Sequence, residues 1–101
     1  MPTNVDPRLD EAIERAAPGT SIQAILTLVS KDGGVLSRQR MDELIRAIFD
    51  HAQVVSGKSA KEPRVFYNLQ AFRVDADPAF VRSVLRDAAV SSAMLDEPEE
   101  Q

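Results

Sequence analysis

Residues 70–85, QAFRVDADPAFVRSVL, join a strand pattern to a helix pattern with a sharp boundary between them. The first half has the period of two that is typical of a β-strand: Phe72, Val74 and Ala76 point to one side, and Ala71, Arg73 and Asp75 to the other. Asp77-Pro78 then predicts a helix start, because aspartate is a common N-cap and proline fits the first turn. The apolar stripe of that helix comprises Phe80, Val81, Val84, Leu85 and Ala88.

Three further strands are predicted around this unit. Residues 64–69 predict a strand joined to residues 70–76 by a tight connection near Asn68. Residues 90–95 predict a short last strand. Upstream, residues 22–29 carry apolar side chains on both faces, interrupted only by Gln23 and Thr27, which is typical of a central strand covered at least in part on both sides.

Two more helices are predicted in the first half of the chain. Ser37 is a plausible N-cap, and the residues after it have the clearest helical periodicity in the sequence: Met41, Leu44, Ile45, Ile48, Phe49 and Ala52. Near the N-terminus, Asp6-Pro7 has the same cap-and-proline pattern as Asp77-Pro78. The apolar residues of this first helix are Leu9, Ile13 and Ala16, and Pro18-Gly19 is expected to end it.

The order of elements predicts the fold class. Strand, helix, strand, strand, helix, strand forms two right-handed βαβ halves. We therefore expect an α+β fold, a ferredoxin-like βαββαβ sandwich whose four-stranded antiparallel sheet has two helices on one face, plus an N-terminal helix. The other face of the sheet is then free of helices. The expected organisation is an N-terminal helical flap over residues 1–20, the main domain over 21–96 and an acidic tail over 97–101.

Composition excludes several classes of function. The chain has 101 residues, no cysteine, one histidine and a formal charge of -4. Asp96, Glu97, Glu99 and Glu100 account for that charge, so the rest of the chain is balanced and has no basic patch for nucleic acid. No apolar run is long enough to span a membrane, and we expect no secretory signal, because residues 1–6 lack a basic stretch followed by an apolar run. We expect a non-enzyme without metal or cofactor, cytoplasmic if the chain is complete and of unknown compartment if it is an excised piece.

Three segments resemble a known family: residues 66–74 (FYNLQAFRV), 78–87 (PAFVRSVLRD) and 90–96 (VSSAMLD). Together they are similar to the propeptide domain of subtilisin-like serine proteases, the inhibitor I9 family. The start at residues 5–9 and the strand at 22–29 are also similar to bacterial members. Val81, Leu85 and Val90 match the apolar positions of the family's helix and last strand, and Asp96 matches its terminal acid.

The resemblance implies an inhibitor or folding chaperone that binds a subtilisin-like serine protease. Such domains dock their helix-free sheet face on two helices of the protease, and the C-terminal tail pairs as a strand in the active-site cleft. The residues expected to contact the partner are Ala71, Arg73, Asp75, Met94, Asp96, Glu97, Pro98, Glu99, Glu100 and Gln101. Gln101 would lie nearest the nucleophilic serine of the protease, and Pro98 would be the fourth residue counted back from that point. Because no catalytic domain follows, the chain is expected to be free-standing or excised.

The sequence departs from the family at Met94. Many members carry a second acid at this position, and the two acids together cap the N-termini of the protease helices, where unpaired N–H groups favour an anion. Here Asp96 would be the single capping acid, and Glu97 would be the nearest carboxylate able to assist it.

Two other classes stay open from the residues alone. One is a ferredoxin-like regulatory or assembly module that pairs its helix-free face with a second copy of itself, forming a homodimer. The other is a small enzyme on the same fold, which would have to bring Tyr67, Arg73 and His51 together, and nothing in their spacing indicates that they converge.

Overall fold

The computed structural model describes residues 4–17, 19–30 and 33–96. The three helices are α1 (Pro7–Arg15), α2 (Arg38–Ser56) and α3 (Pro78–Leu85). The strands are β1 (Asn4–Val5), β2 (Ile22–Leu28), β3 (Arg64–Phe66), β4 (Ala71–Ala76) and β5 (Val90–Leu95). A short 3₁₀ turn, Tyr67–Leu69, joins β3 to β4.

The sheet is five-stranded and mixed, in the order β1-β5-β2-β4-β3. The prediction of a four-stranded antiparallel sheet therefore missed one strand. β5, β2, β4 and β3 do pair antiparallel, but β1 adds a parallel strand beside β5, with Val5 opposite Ala93. The Asp6 N–H donates to the Ala93 carbonyl at 2.9 Å and fixes the chain as it enters α1. Two residues are too few to show a strand period, so β1 was not predicted from the sequence pattern.

The predicted helix starts are confirmed. Asp6 accepts a hydrogen bond from the Arg8 N–H at 3.1 Å, Ser37 from the Arg40 N–H at 3.1 Å, and Asp77 from the Ala79 N–H at 2.8 Å. Each satisfies one of the N–H groups that a helix leaves unpaired in its first turn. Gly57 caps the C-terminal end of α2, and its φ of 71° lies in the left-handed region that glycine adopts without strain.

A single core lies between the sheet and the helices. Buried side chains from all three helices join one cluster with Ile22, Ala24, Leu26 and Leu28 of β2 and with Phe72, Val74 and Ala76 of β4. Phe49 of α2 packs edge-on against Phe72 at 6.0 Å between ring centroids and against Phe80 at 5.1 Å. The predicted orientation of β4 is thus confirmed, and the three helices cover the same face of the sheet.

Some predicted boundaries shift. β3 ends at Phe66 rather than at residue 69, because the chain turns through Tyr67–Leu69 and Gln70 takes a left-handed conformation with φ of 50°. Ala88, placed by periodicity on the apolar stripe of the last helix, lies beyond the end of α3 and is exposed. Pro18, expected to help end α1, lies outside the described residues.

Asp77 should make stability depend on pH in acid. Its carboxylate accepts hydrogen bonds from the Ala79 N–H and, 58 residues away, from the Gly19 N–H at 3.0 Å, and these two bonds lower the pKa of Asp77 below its ordinary value. A carboxyl whose pKa is lowered on folding stabilises the native state above its unfolded pKa. That contribution is lost as the pH falls through the lowered pKa.

We therefore expect Asp77→Asn to remove part of the acid-induced loss of stability. Urea unfolding gives the free energy of unfolding of the native chain and of Asp77→Asn at about pH 7 and about pH 3. Subtracting the change with pH in the variant from that in the native chain removes the contribution of the other carboxylates. Asp10→Asn, in the first turn of α1, is the matched control. Equal pH dependence in the native chain and in Asp77→Asn would contradict the assignment.

Candidate protein-binding face

The sheet face opposite the helices is the candidate site, and we call it the open face. Strand register assigns its residues, because partners across a sheet point the same way: Gln23, Ile25 and Thr27 of β2, Ala71, Arg73 and Asp75 of β4, Ser92 and Met94 of β5, and Arg64 and Phe66 of β3. None of these side chains belongs to the core cluster, and no helix among the described residues packs on this face. The face is mixed in character, with apolar, neutral polar and charged groups.

An ion pair crosses the open face. The Arg73 Nε donates to Asp96 Oδ2 at 2.5 Å, with side chains 35% and 32% exposed. Arg73 lies on β4 opposite Ile25 of β2, and Ile25 in turn lies opposite Met94 of β5. The guanidinium therefore spans β2 to reach the residue that follows β5. Two of the predicted partner-binding residues are brought together in this way.

Asp75 occupies the next position of β4 on the same face. Its side chain is 14% exposed, Oδ2 lies 3.6 Å from Lys61 Nζ, and Oδ1 is buried without a hydrogen-bond partner in the described part of the chain. Gln23 is its opposite residue on β2, and the Gln23 carbonyl accepts from the Asp96 N–H at 2.9 Å. Asp75 and Asp96 thus flank Gln23 in one row across the sheet.

The two apolar residues predicted for the site differ in their exposure. Met94 is 51% exposed and offers a thioether near the C-terminal end of β5. Ala71 is 3% exposed, lying between Phe66 and Thr27 on the neighbouring strands, so these two larger side chains present the surface at that position. The remaining predicted residues, Glu97, Pro98, Glu99, Glu100 and Gln101, lie outside the described residues.

Apart from the open face, a cleft lies between α2 and β3, on the helix side of the sheet. It has a volume of about 560 Å³ and is lined by Asp42, Ile45, Arg46, Phe49, Asp50, Glu62, Pro63, Val65 and Tyr67. The Tyr67 hydroxyl donates to Asp42 Oδ1 at 2.7 Å, and the Arg38 guanidinium lies 4.3 Å from the centroid of the Tyr67 ring. The hydrogen bond to Asp42 raises the pKa of Tyr67, because the bond favours the neutral phenol. This cleft was not predicted from the sequence.

Two of the three groups that a small enzyme would need have separate partners. Tyr67 is engaged with Asp42, Arg73 with Asp96, and His51 lies exposed on α2. In the described ranges no group of three or more histidines and carboxylates is placed to hold a metal ion. Over the same ranges, no helix combines the length and apolar character needed to cross a bilayer.

Comparisons with known proteins add no relative. No family model, no curated protein and no solved structure matches this chain.

Proposed function

We propose that this protein is a propeptide-like inhibitor or folding chaperone of a subtilisin-like serine protease. It docks the open face on the protease and places the residues after Asp96 in the active-site cleft as a product-like strand. Binding of this kind requires a presented surface and an extended segment, and no catalytic group of the inhibitor takes part.

The connectivity supports this proposal. With β1 set aside, the strand order β5-β2-β4-β3 places the first and third strands of the βαββαβ unit in the middle, and all neighbours are antiparallel. We propose that this unit is a ferredoxin-like sandwich carrying β1 and α1 as an addition. It is the arrangement that the resemblance to the propeptide family implies.

The single observation that carries the proposal is the position of Asp96. The carboxylate is held by Arg73 over the open face, and Asp96 directly follows the end of β5. The side chain remains about one third exposed, so a partner's N–H groups can reach it. An anion placed there would suit the N-terminus of a protease helix.

Met94→Glu tests the proposal and should tighten inhibition. It supplies the second acid that many propeptides carry two residues before the terminal one, on a side chain that is already half exposed. A carboxylate near a helix N-terminus contributes about 0.3–1 kcal/mol when exposed and up to about 2 when partly buried, so the inhibition constant should fall about two- to thirtyfold. Hydrolysis of a chromogenic peptide by subtilisin and related proteases measures the constant.

Val54→Glu is the matched control. It makes the same change of charge at an apolar residue of α2 that is 81% exposed and lies away from the open face. Inhibition by this variant should equal that of the native chain. No inhibition by the native chain across the protease panel, or equal effects of the two variants, would reject the proposal.

A homodimer through the open face is the alternative, and Met94 at 51% exposure is the observation that favours it. The same variant separates the two readings. In a homodimer, Met94→Glu buries two like charges near the interface and weakens association, whereas the inhibitor gains affinity. Sedimentation at micromolar concentration gives the answer: a tight native dimer that Met94→Glu dissociates would favour the alternative.

A further inference from the structure

We propose that Arg73 is a positioning residue that clamps Asp96 and so fixes the point at which the chain leaves the open face. This inference rests on the proposed function for its consequence in inhibition, but the clamp itself belongs to the isolated chain. It assigns Arg73 a role toward Asp96 rather than direct contact with a protease.

The clamp joins strands that are not neighbours. Asp96 is held twice, through its N–H to the Gln23 carbonyl at 2.9 Å and through Oδ2 to the Arg73 Nε at 2.5 Å. The first bond extends the pairing of β5 with β2 by one residue past the strand. The second links the same residue to β4, across β2. The chain beyond Asp96 therefore starts from a point fixed by two strands.

The geometry leaves Asp96 able to meet a partner while it is clamped. Arg73 engages Oδ2, and among the described residues no donor contacts Oδ1. A carboxylate has lone pairs for several donors, so a helix N–H can bind the second oxygen without displacing the guanidinium. Holding the carboxylate and the main chain of Asp96 in place before docking lowers the ordering cost of binding.

The first experiment measures the clamp without any protease. Amide hydrogen exchange of the isolated protein, followed by NMR, should show the Asp96 amide exchanging about two- to fivefold faster in Arg73→Met, as expected for the loss of a half-exposed ion pair. The Val74 amide, in the centre of the sheet, should not change. Arg64→Met is the matched control, because Arg64 lies opposite Arg73 on β3, on the same face, without a contact to Asp96 among the described side chains.

The second experiment is a double-mutant cycle in inhibition of subtilisin-like proteases. Arg73→Met and Asp96→Asn should each raise the inhibition constant about two- to thirtyfold. The inhibition constant of the double variant should not exceed the higher of the two single-variant values. Arg73→Lys should recover part of the loss, since it keeps the cation but not the planar guanidinium. The free energy of unfolding, measured in parallel, separates these effects from loss of fold.

Three results would overturn the inference. The Asp96 amide could exchange equally in Arg73→Met and Arg64→Met, the two losses in inhibition could multiply, or Arg73→Met could tighten inhibition because Arg73 withholds Asp96 from the protease. A native chain that inhibits no protease would instead remove the proposed function, while hydrogen exchange would still decide whether the clamp exists.

Discussion

Replacing Phe72 with alanine is expected to lower the free energy of unfolding by about 3–5 kcal/mol. The Phe72 side chain is fully buried, lies opposite Leu26 and Val65 on the adjacent strands and packs edge-on against Phe49. Its removal leaves a cavity between the sheet and α2 that the neighbours can fill only in part. Since domains of this kind are stable by about 5–15 kcal/mol, the variant should lose a large share of its stability. Urea unfolding followed by far-UV circular dichroism measures the loss.

Phe66→Ala is the control that tests which face of the sheet is the core. Phe66 is the same residue type on the adjacent strand, but it lies on the open face, partly exposed, with the Arg64 guanidinium 5.5 Å from its ring centroid. Its truncation should cost about 1 kcal/mol. If Phe66→Ala proved as costly as Phe72→Ala, the open face would be covered in solution, and its assignment as a docking surface would be wrong.

The parts of the fold that follow from sequence are those with a repeated local pattern. Such patterns depend only on residues close together in the sequence. They are the alternation through Phe72 and Val74, the helical stripe through Met41 and Ile45, and the three N-cap residues. These elements and the face they bury are confirmed. The strand bounds of β5, residues 90–95, are confirmed as well.

The parts that were missed depend on contacts between distant segments. β1 is strand only because Asn4 and Val5 find Ser92 and Ala93, and two residues carry no period. Gln70 takes a left-handed conformation, which glycine or asparagine adopts more readily. Its carbonyl accepts a hydrogen bond from the Leu28 N–H, and its side-chain oxygen accepts one from the Leu36 N–H. These bonds to β2 and to the segment before α2 hold the turn, and neither is visible from the local sequence.

The candidate site shows the same division. Sequence pattern was sufficient to place Arg73 and Asp75 on one side of β4, because alternation decides the side of a strand. The pairing of Arg73 with Asp96 required the strand order, since the two residues are 23 apart in sequence and β2 lies between β4 and β5 in the sheet. The cleft between α2 and β3 likewise depends on how far α2 lies from a strand of three residues at the sheet edge.

Deleting residues 97–101 is expected to weaken inhibition of subtilisin-like proteases about a hundredfold while the domain stays folded. Three main-chain hydrogen bonds between an added strand and the cleft, at about 1 kcal/mol each, amount to roughly this factor. We expect the fold to persist because, among the described residues, β5 ends at Leu95 and every core side chain belongs to residue 95 or an earlier one. The inhibition constant and the urea midpoint are measured on the same preparation.

A variant with Glu97→Gln, Glu99→Gln and Glu100→Gln is the control that separates backbone pairing from charge. It keeps the length and the main-chain groups of the segment and removes three of its negative charges. If a strand in the cleft provides the affinity, this variant inhibits nearly as well as the native chain, and only the deletion loses activity. If the triple variant loses as much as the deletion, the acids bind a basic surface instead. A deletion that inhibits undiminished would place the whole of binding on the open face.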